Sequence, residues 1–203
     1  MLPGNPQILT CPYCGRTKEI MSLLSGNTFG AQLWSDNKQI AQMLPEISYV
    51  QKSSHCKKCF IRSRQKAVYA KSGFSVEQGL LSFAEMKEAF VQLSQEKFRD
   101  NDEEANVRMM LHHAYNDYYF RDGGHRTIAE DDQKLFQENA RCLVERFITD
   151  NVMKAEFCRE AGDMEKAKAL IENMTGDNDF MKGLVATIKE KISKGDTAVF
   201  LIK

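Results

Sequence analysis

No stretch of this chain stays apolar for the roughly 20 residues needed to cross a bilayer, which excludes an ordinary helical membrane span. Residues 1–10 lack the charged start and apolar run of a secretory signal, so a reducing cytoplasm is the expected setting. Disulfides among the six cysteines are therefore not expected. Net charge is missing too: 28 Lys/Arg face 28 Asp/Glu, and a pI near 6.9 gives the whole chain no electrostatic bias toward nucleic acid. Neither HExxH nor another established hydrolytic signature occurs. What remains, 42% hydrophobic and 28% charged over 203 residues, fits one medium domain or two small ones.

Four of the cysteines carry the most information. Cys11-Pro12-Tyr13-Cys14 and Cys56-Lys57-Lys58-Cys59 are two CxxC pairs, and a tetrahedral zinc takes four thiolates from two such turns. The expectation is one structural Zn held by Cys11, Cys14, Cys56 and Cys59, with no position left open for water or substrate. Such a metal supplies folding free energy to a segment too small to bury a sufficient core. Gly15 follows the first pair, where the chain curls under the metal and φ > 0 is often needed. Phe60 follows the second, a departure from that pattern, and the 41 intervening residues exceed the roughly 15–20 of a simple ribbon.

Other roles for these cysteines compete with a metal site. Cys-Pro-Tyr-Cys, followed by Gly-Arg-Thr-Lys, resembles a glutaredoxin active site, which implies thiol-disulfide exchange by a thiolate at a helix N-terminus. That fold needs a βαβ chain and a proline opposite the cysteines. Pro45 is available, but the elements expected before it are absent and the second CxxC is left unexplained. His55 is an alternative ligand to Cys56, because zinc accepts imidazole. Cys142 and Cys158 lie in helical patterns and read as small hydrophobes.

Charge divides the chain. Residues 1–76 carry ten Lys/Arg against three Asp/Glu, whereas residues 77–203 carry eighteen against twenty-five. The expected architecture is α+β: a zinc ribbon-like module over 1–76, then an antiparallel helical array over 77–203. In the first part, residues 7–10 and 19–24 are candidate strands or turns and 47–51 a candidate strand, with turn chemistry at 25–30 and 35–38. The single tryptophan, Trp34, lies between those turns as an apolar body for the module to pack on. In the second part Ser82-Phe83-Ala84-Glu85 is a capping-box sequence, and Phe83, Met86, Phe90, Leu93 and Phe98 follow a helical period. Further helices are expected from 101 to the glycines at 123–124, from 127 to 148, and near 151–161, 163–174 and 179–193.

Ala155, Cys158, Gly162-Asp163, Ala167, Ile171 and Met174 resemble a tetratricopeptide repeat, with small residues where two helices touch. No second copy appears at a period of 34, so the resemblance implies helix hairpins more than a peptide groove. The two CxxC pairs, Trp34-Ser35-Asp36, Met43-Leu44-Pro45-Glu46, Asn106-Val107-Arg108-Met109-Met110 and Ala114-Tyr115-Asn116-Asp117 also resemble a group of uncharacterised bacterial proteins. These join an N-terminal zinc ribbon to a tetratricopeptide-like region. The resemblance implies architecture and a bacterial cytoplasmic setting, and no activity.

Two further constellations bear on function. His113 and Asp117 are four apart on one helix face, as are His112 and Asn116, and His125 follows in a glycine turn. This spacing can present two metal ligands, but a hydrolytic site needs a third ligand and a base. Lys52, Lys57, Lys58, Arg62, Arg64, Lys66 and Lys71 lie in a stretch free of acidic residues, with Phe60 and Tyr69 interleaved. Such cations can neutralise phosphates and such aromatics stack bases; the plain alternative is a solvated face, or docking on acidic helices. The expected function is a non-enzymatic zinc-binding protein that serves protein interaction or scaffolding. Nucleic-acid binding through Lys57, Lys58, Arg62 and Arg64, or oxidoreductase chemistry at Cys11 and Cys14, are the alternatives. Finally, residues 197–202 read as a strand that must pair, with the ribbon's sheet or in trans.

Overall fold

A computed structural model describes residues 1–73, 75–121 and 126–202; His125 lies outside them. The chain is mixed α+β and forms two compact units. The first comprises Met1–Gln32 and Gln39–Val107, the second Leu33–Lys38 and Arg108–Lys203. No helix among the described residues is long and apolar enough to cross a membrane.

The first unit is made of short strands followed by a helix. In chain order these are β1 (Leu2–Pro3), β2 (Gln7–Thr10), β3 (Thr17–Ile20), β4 (Leu23–Ser25), β5 (Gln32–Leu33, whose second residue belongs to the second unit), β6 (Gln39–Ile40), β7 (Val50–Lys52), β8 (Cys59–Ile61), β9 (Val68–Tyr69) and α1 (Phe83–Glu96). β2 is the centre of an antiparallel β3-β2-β9 sheet, with Gln7 opposite Ile20 and Thr10 opposite Thr17. Its period of two buries Leu9 and exposes Thr10. β7 and β8 pair with Lys52 opposite Cys59. Leu9, Cys11, Ile20 and Phe60 form the small core between these ladders.

α1 begins at a complete capping box: Ser82 accepts from the Glu85 amide, and the Glu85 carboxylate accepts from the Ser82 amide. Phe83, Met86, Ala89 and Leu93 form its buried stripe, and the helix packs against β8. The unit therefore extends past the expected boundary at residue 76. The physical reason is polar as well as apolar. Gln92 Oε1 accepts the Cys59 amide at 2.9 Å, and Arg64 Nη2 donates to Glu103 Oε2 at 2.6 Å. Basic residues of the cysteine segment are thus held by acidic residues beyond 76.

α2 (Asn101–Asn116) spans the division between units and ends in a π-helical turn, Asp117–Arg121. The second unit continues with α3 (Glu130–Arg146), α4 (Asn151–Glu160), α5 (Met164–Ile171) and α6 (Asp179–Ser193). α4 packs on α3, α5 and α6. Leu143, Val144, Phe157, Cys158 and Ala167 form one core cluster, and Val152, Ala155, Ile171, Val185 and Ile188 another. Between α4 and α5, Gly162 takes φ +82° and Asp163 caps the next helix through the Lys166 amide. The Gly-Asp turn expected between two helices is thus present, but α5 stops at Ile171, short of the expected 174.

The C-terminal segment does not join the β3-β2-β9 sheet. Ser35 donates its amide to Phe200 O at 2.9 Å and Ile202 to Leu33 O at 2.8 Å, all within the second unit. Trp34 and Leu201 form the one isolated bridge of that pairing. The expected strand over 197–202 is reduced to this ladder because its partner, Leu33–Ser35, runs at once into a turn closed by the Trp34 amide on Lys38 O at 2.9 Å.

Candidate metal centre and buried polar network

Two tight turns bring cysteines together in the first unit. Cys11 ends the β2 ladder, and its amide donates to Arg16 O at 2.9 Å while Gly15 donates to Cys11 O at 3.0 Å. Gly15 has φ +69°, the left-handed conformation that glycine adopts without a Cβ penalty. The second turn follows β7 and holds Cys56. Sγ of Cys11 and Sγ of Cys56 are 3.6 Å apart, and with Cys14 they form a group whose ligand atoms all lie within 4.8 Å. These three thiols could hold a metal ion. Soft sulfur donors of this kind suit thiophilic metals such as zinc, copper(I) or iron in a cluster.

Cys59 is not in that group. It is the first residue of β8 and 2% exposed, with its amide and carbonyl both bonded to Gln92. The two ends of the CxxC pairs are therefore unlike. The Ser53 hydroxyl and the Arg16 backbone draw the Cys14 thiol down to about 6, whereas burial pushes Cys59 up to about 11. All six cysteines are free thiols. The Cys11–Cys14 turn leads into β3 rather than a helix, so it lacks the helix N-terminus that a redox thiolate uses.

The expected cationic surface is partly consumed within the first unit. Arg64 makes a forked pair with Glu103, a side chain 1% exposed, and Lys52 reaches Glu85 at 3.2 Å and Glu88 at 3.3 Å. Lys58 lies over the Tyr13 ring, and Arg62 donates to Gln7 Oε1 at 3.4 Å.

The histidine pairs resolve differently from their spacing. His113 Nε2 meets the Asp36 carbonyl at 3.1 Å, and Asp117 is taken by Arg121 at 2.6 Å and Lys38 at 2.5 Å, so His113 and Asp117 do not share a ligand. His112 and Asn116 do converge. His112 Nε2 is 2.8 Å from Glu160 Oε2, and Asn116 Nδ2 donates at 2.9 Å to both Glu160 Oε2 and Asp36 Oδ2. Arg121 Nη1 completes Asp36 at 2.7 Å, and Arg159 holds Glu156 through two contacts. The π turn supplies the reach: it returns Arg121 onto the helix, where its second amine meets the His113 carbonyl at 3.0 Å.

Asp36, His112 and Glu160 thus form a second group with ligand atoms within 4.8 Å, all buried. Its carboxylate oxygens and His112 Nε2 already face hydrogen-bond partners, and the His112 ring is stacked between Phe136 and Phe157 at 4.5 and 4.2 Å. The network is not fully satisfied: His112 Nδ1 and Asn116 Oδ1 are buried with no partner among the described residues. An imidazole that bound a metal through Nε2 would ordinarily donate its other N–H to an acceptor, and His112 Nδ1 has none there. Burial lowers His112 to about 4 and raises Glu160 to about 7, the latter helped by the Asp36 charge. Asp36 goes the other way. Burial opposes its ionisation, but His113, Arg121 and the Asn116 amide prevail and hold it at about 2.

Of the four cysteines of the two CxxC pairs, Cys11, Cys14 and Cys56 lie together. Nothing local in the sequence selects Asp36, Arg121, Glu156, Arg159 or Glu160 for the buried network; Ser35-Asp36 is legible there as turn chemistry and as part of a family resemblance. No family model, curated protein or solved structure matches the chain.

Proposed function

We propose that the protein is a metal-stapled, non-enzymatic interaction module whose zinc is structural. The observation that carries this reading is the meeting of Cys11, Cys14 and Cys56 from turns 45 residues apart, with sulfurs 3.6 Å apart and no disulfide. When bound, the ion would tie β2–β3 to β7–β8 through metal–sulfur bonds and so reinforce the small cluster of Leu9, Cys11, Ile20 and Phe60 between those ladders. Surface chemistry supports interaction as the use of that unit. Phe29 is 86% exposed and Leu24 73%, two large apolar side chains of that unit that a protein partner would cover.

Full-length protein purified without chelator is expected to carry one zinc per chain, and its first unit to unfold when a strong chelator removes the metal. Protein with well under one metal per chain and unchanged melting under chelator would refute the staple. The interaction reading is tested separately, by whether Phe29→Ser and Leu24→Ser release proteins that co-purify with the wild type. The nucleic-acid alternative rests on Lys57, Lys58 and Arg62, since Arg64 is engaged by Glu103. Salt-sensitive binding of a labelled oligonucleotide that is lost in a Lys57/Lys58/Arg62 triple alanine variant would favour it.

A further inference from the structure

The two cysteine-bearing turns share one backbone pattern, and that pattern sets Ser53, rather than Cys56, in register with Cys11. In the first turn the Cys11 amide donates to Arg16 O at 2.9 Å, the Gly15 amide to Cys11 O at 3.0 Å, and Gly15 has φ +69°. In the second, the Ser53 amide donates to Lys58 O at 2.9 Å, the Lys57 amide to Ser53 O at 3.0 Å, and Lys57 has φ +62°. Cys56 therefore corresponds to Cys14, Lys57 to Gly15 and Lys58 to Arg16. Cys59 corresponds to Thr17: each is the first residue of the strand that leaves its turn.

Side chains agree with this register. Ser53 Oγ is 3.5 Å from Cys14 Sγ and accepts from the amides of His55 and Cys56, each at 3.3 Å. Its side chain faces the thiols from the place where a fourth cysteine would stand. Cys59, by contrast, is fixed in β8 by both of its Gln92 hydrogen bonds.

We propose that the centre is a three-thiolate site, with Cys11, Cys14 and Cys56 on the metal and Ser53 at the fourth corner. A neutral hydroxyl is a poor ligand for zinc beside three thiolates, so the fourth position is exchangeable and admits water or a small nitrogen or sulfur donor. Cys59 is a packed core thiol. The inference rests on the metal-staple reading and changes its chemistry, because a site with one open position can take an exogenous ligand and a closed four-thiolate site cannot.

The test uses the full chain loaded with cobalt(II) in place of zinc, with imidazole as the exogenous probe and the visible spectrum as the readout. Wild type and Cys59→Ala are expected to bind one cobalt with similar affinity, and both spectra to shift on imidazole addition. Ser53→Cys is expected to bind about tenfold tighter or more and to ignore imidazole, having closed the tetrahedron. A Cys59→Ala variant that loses cobalt as severely as Cys56→Ser, or a wild-type spectrum of four thiolates inert to imidazole, overturns the proposal while leaving the metal staple intact. Should Cys59→Ala fail to fold, the wild-type imidazole response and Ser53→Cys decide it. A wild type that takes up neither cobalt nor zinc removes the staple and this inference together.

Discussion

His112 Nε2 and Glu160 Oε2 lie 2.8 Å apart with neither side chain accessible to water, and folding moves the two groups' proton affinities in opposite directions. His112 is depressed to about 4, so it contributes stability that is present above its unfolded value near 6.5 and lost as pH falls through 4. Glu160 is raised to about 7, so its contribution is full below 4.5 and lost as pH rises through 7. Between those limits the two slopes oppose each other.

Single substitutions should remove one slope at a time. Relative to wild type, Glu160→Gln is expected to lose a falling slope between pH 4.5 and 7 and His112→Gln a rising slope between pH 4 and 6.5, each by roughly 2–3 kcal/mol, while the neighbouring Glu156, also raised to about 7 by burial, keeps its own falling slope in both variants. Urea midpoints measured across that range check this. Parallel pH profiles for the two variants and wild type would contradict it.

Asp36→Asn should destabilise the second unit by about 3–5 kcal/mol, because it leaves the buried Arg121 guanidinium without the carboxylate 2.7 Å away. In wild type the Asp36 contribution is present above pH 3.8 and lost as pH falls through about 2. Denaturant melts followed by Trp34 fluorescence report on the same turn. A loss under about 1 kcal/mol would mean that Arg121 is satisfied by Asp117 alone.

Glu103→Gln is expected to weaken the first unit by about 2–3 kcal/mol, since Glu103 also accepts the Arg99 amide at 2.9 Å beside its Arg64 fork. Hydrogen exchange should then show α1 and the Arg62–Arg64 turn opening together. Faster exchange in the second unit alone would count against the assignment of α1 to the cysteine-bearing unit.

Ser82→Ala removes the hydroxyl that accepts the Glu85 amide at 3.3 Å and should cost about 1 kcal/mol. Thermal unfolding in the presence and absence of added zinc checks it, and no change would mean that Glu85 caps the helix without the serine.

Much of this was legible locally. The capping box at Ser82 and the Gly162-Asp163 turn depend on residues within a few positions and stand where the pattern put them; the helical stripe from Phe83 to Leu93 is there too, but with Ala89 rather than Phe90 fully buried and with α1 ending at Glu96, before Phe98. The lack of an apolar run long enough for a helical membrane span, the zero net charge and the placing of four of the six cysteines in two CxxC pairs follow from composition and spacing. The unit division was not legible. Charge counts place a boundary near 76, but Arg64 and Glu103 are 39 residues apart and meet only because α2 begins beside the Arg62–Arg64 turn.

The same limit governs both sites. The sequence by itself determined that thiols from two turns would meet, because CxxC spacing fixes a local bend. Which residues of the second turn approach the Cys11 and Cys14 thiols was decided by backbone hydrogen bonding: the Ser53 amide closes on Lys58 O, Ser53 Oγ stands 3.5 Å from Cys14 Sγ, and Cys59 begins β8. Likewise, spacing could pair His113 with Asp117, but only tertiary packing brings Asp36 and Glu160, 124 residues apart, onto His112 and Asn116. Periodicity acts over one or two turns of chain; the desolvated charges of this network find their partners only once the helices have closed around them.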